Sequence, residues 1–158
     1  MSSTDLQHLY NKAWLFASHA HVGQMMKGSD LPYTTHVAMV ANELIFADRE
    51  SDIGDLAVAM PAALLHDVIE DTGTSEEALA GVFGAAVAST VACLSKNLIV
   101  PFSDEGYFQA IAAHSREAAA IRLGFQSRES LMAFSTSSRV CPVLFWMRPT
   151  SSSCLPSA

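Results

Sequence analysis

Six consecutive residues, His66-Asp67-Val68-Ile69-Glu70-Asp71, place an imidazole and three carboxylates at the end of an apolar run, Ala57 to Leu65. On an α-helix Glu70 follows His66 by four residues and Asp71 follows Asp67 by four, so each pair shares a face. Ionisable groups closing an apolar helix cost stability unless something cationic gathers them. Acidic groups at a helix C-terminus also oppose the macrodipole, by about 0.3–1 kcal/mol each. Local conflicts of this kind tend to mark function. A bound divalent metal is the simplest cation to resolve this one. The plainer alternative is a chance His-Asp pair followed by a solvated helix end.

The elements that must position these groups read as helices. Leu6, Tyr10, Ala13/Trp14, Ala17 and Ala20/His21 repeat at helical spacing from Asp5 to about Gly23, with Trp14 and Phe16 as core residues. A loop rich in Gly, Ser, Asp and Pro runs from Gln24 to Tyr33. Thr34 or Thr35 is then placed to cap a second helix with the stripe Val37, Val40, Ala41, Leu44 and Ile45. The third helix is expected over Asp52–Glu70, bent at Pro61. Thr74 and Glu77 have capping-box spacing for a short helix to about Val82. Ala85–Ser95 reads as a small-residue helix, and Ser103 opens a last one running through Leu123. No segment alternates convincingly as a strand, so the fold class is all-α, a helical bundle.

At Gly124 the character changes. The remaining residues are rich in Ser, hold two of the three cysteines, Cys141 and Cys154, and sustain no helical period, so residues 124–158 read as an atypical tail beside a 1–123 domain. A length of 158 residues with 50 % hydrophobic and 16 % charged residues suits one globular domain. The net charge of −7 argues against nucleic acid as partner. A phosphorylated substrate would need local positive charge from a metal or clustered bases. Cysteines without CxxC spacing, no basic leader and no apolar run near the ~20 residues of a membrane span point to a soluble cytoplasmic protein.

Several blocks, in order, resemble the HD-domain metal-dependent phosphohydrolases, most of all the stand-alone hydrolases of guanosine 3′,5′-bis(diphosphate). They are His21-Val22-Gly23-Gln24, Lys27 through Pro32-Tyr33-Thr34-Thr35-His36, Ala62 through His66-Asp67-Val68-Ile69-Glu70-Asp71-Thr72, Phe83-Gly84-Ala85-Ala86-Val87-Ala88 and Leu94-Ser95-Lys96. The resemblance covers residues 5 to 123. It implies His36, His66 and Asp67 as metal ligands, and manganese as the commonest ion. A mixed imidazole and carboxylate shell also suits Fe or Zn. Glu70 and Asp71 would activate water or shuttle its proton. Lys27 would meet phosphate, with His21 and Tyr33 from the same blocks as further substrate contacts, and Arg116 or Arg122 would neutralise charge.

Two departures from the family pattern qualify this. An arginine usually precedes the lysine, where this chain has Met26, so a cationic plane for guanine is lacking. A late aspartate usually supplies a fourth metal ligand, and Phe125 stands at that place, with Glu129 four residues on. Three protein ligands still suffice for many catalytic metals, so the expectation is a site that forms but holds its ion weakly. The implied activity is hydrolysis of the 3′-diphosphate of the guanosine nucleotide. A nucleotidase or phosphodiesterase on another phosphoester, and a catalytically dead nucleotide-binding or scaffold domain, are the alternatives.

Overall fold

Helix α3, Leu56–Leu65, is the axis of the described residues: every residue from Ala59 to Leu65 is buried, and the helices Ser3–Ala20, Thr34–Glu50 and Ala85–Leu94 pack around it. A helix apolar on all sides can only be stable when enclosed in this way. The computed structural model describes residues 2–98 and 102–123. Among these the elements in order are α1 Ser3–Ala20, α2 Thr34–Glu50, α3, a single turn α4 Val68–Asp71, α5 Glu76–Phe83, α6 Ala85–Leu94, a 3₁₀ turn Lys96–Leu98 and α7 Asp104–His114, with residues 116–123 helical again. No strand occurs among the described residues beyond an isolated Met25–Pro32 bridge, and the all-α expectation holds. No helix among them is long and apolar enough to cross a membrane. Phe125, Glu129, Cys141, Cys154 and the rest of the 124–158 tail lie outside the described residues.

Local chemistry moves several boundaries from their expected places. α1 begins at Ser3 because Ser2 and Asp5 form a reciprocal capping box. It ends at Ala20, ahead of Gly23, whose φ of 80° serves the following turn. Trp14 and Phe16 are partly buried and pack on the core from its edge. In α2, Val37, Val40, Ala41 and Leu44 are buried as the stripe requires, whereas Ile45 is 39 % exposed at its margin. Neither threonine caps α2: the N-cap is Tyr33, without a side-chain bond. The cap of α5 is Ser75, which accepts from the Ala78 amide, while Thr74 Oγ1 pairs with Thr72 Oγ1 at 2.9 Å.

The two longest expected helices are both interrupted. α3 starts at Leu56 behind an Asp55 cap, and stops at Leu65. There His66 Nδ1 takes the Ala63 carbonyl at 2.7 Å, competing with the backbone amide that would continue the helix. His66 and Asp67 therefore form a turn before α4 resumes. The last expected helix breaks at Ser115, which is extended (φ −164°) and recaps the following turns by accepting from the Ala118 amide at 3.1 Å. Those turns are tied back to the start of α3: Glu117 Oε1 accepts from the Asp55 amide at 2.7 Å. Gly54 makes the approach possible, since a Cβ there would lie 2.2 Å from Glu117 Oε1 and its φ is +97°.

Candidate metal centre and its cavity

The break between α3 and α4 turns His66 and Asp67 toward the first turn of α2. His66 Nε2 lies 2.6 Å from Asp67 Oδ2 and 3.1 Å from His36 Nε2, and His36 Nε2 lies 3.4 Å from the same carboxylate oxygen. These three residues are a group whose ligand atoms all fall within 4.8 Å of one another. The Ala63 carbonyl can only accept, so His66 carries a proton on Nδ1 and, when neutral, presents a lone pair at Nε2. Two imidazole nitrogens and a carboxylate oxygen thus converge, an arrangement that demands positive charge among them. The donor set fits a divalent transition metal, and the carbonyl behind His66 is the supporting contact such ligands characteristically have.

Tyr33 completes the cluster. Its hydroxyl donates to Asp67 Oδ2, and its ring lies between those of His21 (centroids 4.7 Å) and His36 (5.2 Å). Burial pushes the phenol far above its ordinary pKa, and the charges of Asp67 and Asp71 push it further, so it remains a donor. Burial also pushes the Asp67 carboxyl up. The pull of His66 and hydrogen bonds from His36, His66 and Tyr33 outweigh this and hold it well below the usual carboxylate range.

The acidic pair is fixed from two other segments. Glu70 Oε2 accepts from the Lys96 amide at 2.9 Å, at the start of the 3₁₀ turn. Asp71 Oδ2 accepts from Gln24 Nε2 at 2.7 Å. The 21–33 loop is held by backbone bonds from Met26 N to Leu31 O (2.8 Å) and from Tyr33 N to Gln24 O (2.9 Å), which bring Gln24, Lys27 and Tyr33 to one rim.

All of this opens on a cavity of about 620 Å³ lined by Lys27, Tyr33, His36, His66, Asp67, Glu70, Asp71, Leu94, Lys96, Tyr107 and Arg122. Seven of the eight residues singled out from sequence line it. The eighth, His21, is 3 % exposed and sits behind Tyr33, outside the lining. Of the two arginines considered as charge partners, Arg122 lines the cavity and Arg116 instead pairs with Asp52 at the surface. Lys96 and Tyr107 have no role legible in the sequence by themselves. Their neighbourhood is cationic over aromatic, with Lys96 Nζ 6.0 Å and the Arg122 guanidinium 5.6 Å from the Tyr107 ring centroid. Burial pushes the Tyr107 phenol up to about 12 despite Arg122, so it keeps its proton and donates to the Leu94 carbonyl at 2.8 Å. The Leu94-Ser95-Lys96 block was the one available signal for this wall.

Comparison with known proteins gives the architecture its family. A model of the HD domain matches residues 13–145. The chain belongs to the HD-domain family. The matched range continues past the compositional change at Gly124. The bifunctional (p)ppGpp synthase/hydrolase SpoT of Escherichia coli K12 is 40 % identical over 99 residues, which are 63 % of this chain and 13 % of that protein. The guanosine-3′,5′-bis(diphosphate) 3′-pyrophosphohydrolase of Danio rerio is 40 % identical over 87 residues, covering 54 % of this HD-domain chain and 46 % of the relative. A solved structure described as a metazoan ortholog of SpoT that hydrolyzes ppGpp superposes with a TM-score of 0.56 at 26 % identity, covering 78 % of this chain and 66 % of that one. The HD-domain chain therefore spans a small part of the E. coli protein and under half of the zebrafish one.

Proposed function

We propose that this HD-domain chain is a metal-dependent pyrophosphohydrolase that removes the 3′-diphosphate of guanosine 3′,5′-bis(diphosphate). The observation that carries the reading is the convergence of His36, His66 and Asp67 at the floor of a cavity whose walls hold both the Glu70–Asp71 pair and the cations Lys27, Lys96 and Arg122. The named activities of the E. coli and zebrafish relatives support the choice of substrate. Manganese is the proposed ion, with iron or zinc compatible with the same donors. The cytoplasm is the proposed place of action, in keeping with cysteines that lack paired spacing.

His36, His66 and Asp67 would hold the ion. When bound, it would supply positive charge to phosphoryl oxygens and make a neighbouring water more acidic. Glu70 and Asp71 lie within one turn of Asp67 and take the water proton or orient the water for attack on phosphorus. Lys27, Lys96 and Arg122 neutralise the phosphates, which the net charge of −7 would otherwise repel. Tyr33 holds Asp67 in orientation. As water adds, the bond between phosphorus and the 3′ oxygen breaks, pyrophosphate departs, and the 3′ oxygen takes up a proton.

Met26 supports a second reading within the family, hydrolysis of a different phosphoester, because the loop offers no guanidinium to stack on guanine. The deciding experiment incubates the full chain with Mn²⁺ and, side by side, guanosine 3′,5′-bis(diphosphate) and simple nucleotides. Pyrophosphate release from the first substrate, abolished by His66→Ala, is the expected result. Faster turnover of another phosphoester selects the second reading, and no turnover of any member of the panel at saturating metal overturns both.

A further inference from the structure

We infer that Gln24 and His21 are positioning residues: a buried imidazole fixes the Gln24 amide, and that amide fixes the Asp71 carboxylate on the cavity wall. The inference rests on the hydrolase reading for its catalytic consequence and on geometry for the rest. Gln24 Nε2 donates to Asp71 Oδ2 at 2.7 Å, and Gln24 Oε1 meets His21 Nδ1 at 2.7 Å. A carboxylate only accepts, so the amide nitrogen must face Asp71 and the amide oxygen must face His21. That oxygen in turn requires a proton on His21 Nδ1.

The surroundings of the ring enforce the same order. His21 is 3 % exposed, and its Nε2 is buried without a hydrogen-bond partner among the described residues. A proton on Nε2 would bury an unmatched N–H and turn a lone pair toward the Gln24 oxygen. Both costs fall on one tautomer. The ring also packs at 4.7 Å, tilted by 38°, against Tyr33, whose hydroxyl donates to Asp67, so one buried side chain stands behind both the acidic pair and the proposed metal ligands. Asp71 is itself exposed. Without a fixed donor an exposed carboxylate samples several rotamers, and Gln24, 47 residues away in sequence, limits that freedom beside the neighbouring Tyr33 hydroxyl. His21 thus acts through Gln24 and touches no substrate.

The test separates the two halves of the contact. Gln24→Glu keeps an oxygen for His21 but sets a second carboxylate against Asp71. Gln24→Met keeps the length and removes both bonds. Expected for each is a kcat lower by about 10- to 100-fold, the scale of losing a supporting partner, with KM changed by no more than about twofold and an unchanged melting temperature. His21→Phe should lower kcat in the same way, and His21→Asn, whose amide can replace the Nδ1 proton, should recover most of it. Side-chain ¹⁵N NMR of the metal-free protein should find the His21 proton on Nδ1 in wild type and in Gln24→Glu, with that preference lost in Gln24→Met. A proton on Nε2 in wild type, or full kcat in Gln24→Glu, overturns the inference. The tautomer measurement needs no turnover, so it judges the contact even where an inactive wild type has overturned the hydrolase reading.

Discussion

Replacing Tyr33 by phenylalanine removes one hydroxyl and leaves the ring that His21 and His36 pack against at 4.7 and 5.2 Å. What is lost is the bond to Asp67 Oδ2, the same oxygen that faces both imidazole nitrogens. A hydrogen bond to a charged group is worth about 1.5–3 kcal/mol. The loss of a contact that orients a metal ligand costs about 10- to 100-fold in affinity, or about 1.4–2.7 kcal/mol at 1.36 kcal/mol per decade. The two routes agree, so Tyr33→Phe should weaken Mn²⁺ binding by one to two decades. Because burial and the neighbouring carboxylates raise the phenol pKa, Tyr33 remains a donor across the neutral and moderately alkaline range, and the deficit should not change with pH there. Isothermal titration of both proteins with Mn²⁺, with melting curves as a fold control, measures it. Equal affinities would refute the assignment of Tyr33 as the support of Asp67. Lost binding with a collapsed melting curve would refute the claim that only the hydroxyl matters.

Other perturbations probe the frame around the site. Gly54→Ala should lower stability by about 1–3 kcal/mol in denaturant unfolding, since a positive φ becomes strained and the new Cβ would press on Glu117 Oε1. Burial pushes the Glu117 carboxyl up, but hydrogen bonding from the Asp55 amide outweighs it and lowers the pKa in the folded chain. The stabilisation is therefore full above the unfolded value of about 4.3 and fades as pH falls through the lower folded value. Glu117→Gln should flatten that part of the stability–pH curve. Ser75→Ala should cost about 1 kcal/mol as a lost N-cap in thermal unfolding, and Thr74→Ala clearly less, because the α5 cap bond belongs to Ser75.

Periodicity made the helices legible, the spacing of His66-Asp67 and Glu70-Asp71 pointed to a cation, and only the family resemblance brought His36 to the same place. The α2 stripe of Val37, Val40, Ala41 and Leu44 follows from residue type alone, and so does the enclosure of the apolar α3. The break at His66–Asp67 was not legible, because it rests on a side chain taking a backbone carbonyl three residues back. That break turns His66 and Asp67 toward His36, so the feature hidden from periodicity is the one that shapes the site. Ser115 interrupts the last helix for a similar reason, a hydroxyl offering a cap where the apolar pattern runs on. The Gln24–Asp71 and Lys96–Glu70 contacts join residues far apart in the chain, and no local pattern encodes such pairs. His21 shows the same limit: its block marked it as important, while its burial and its place outside the cavity lining emerge only from the fold.

Two imidazoles and one carboxylate, those of His36, His66 and Asp67, converge where a single divalent ion is proposed to bind. Pulsed EPR of the chain loaded with Mn²⁺ and labelled with ¹⁵N-histidine reads that arrangement directly. One ion per chain coupled to two histidine nitrogens, reduced to one by either His36→Ala or His66→Ala, is the predicted result. An ion coupled to no histidine nitrogen, or coupling unchanged in both variants, would contradict it.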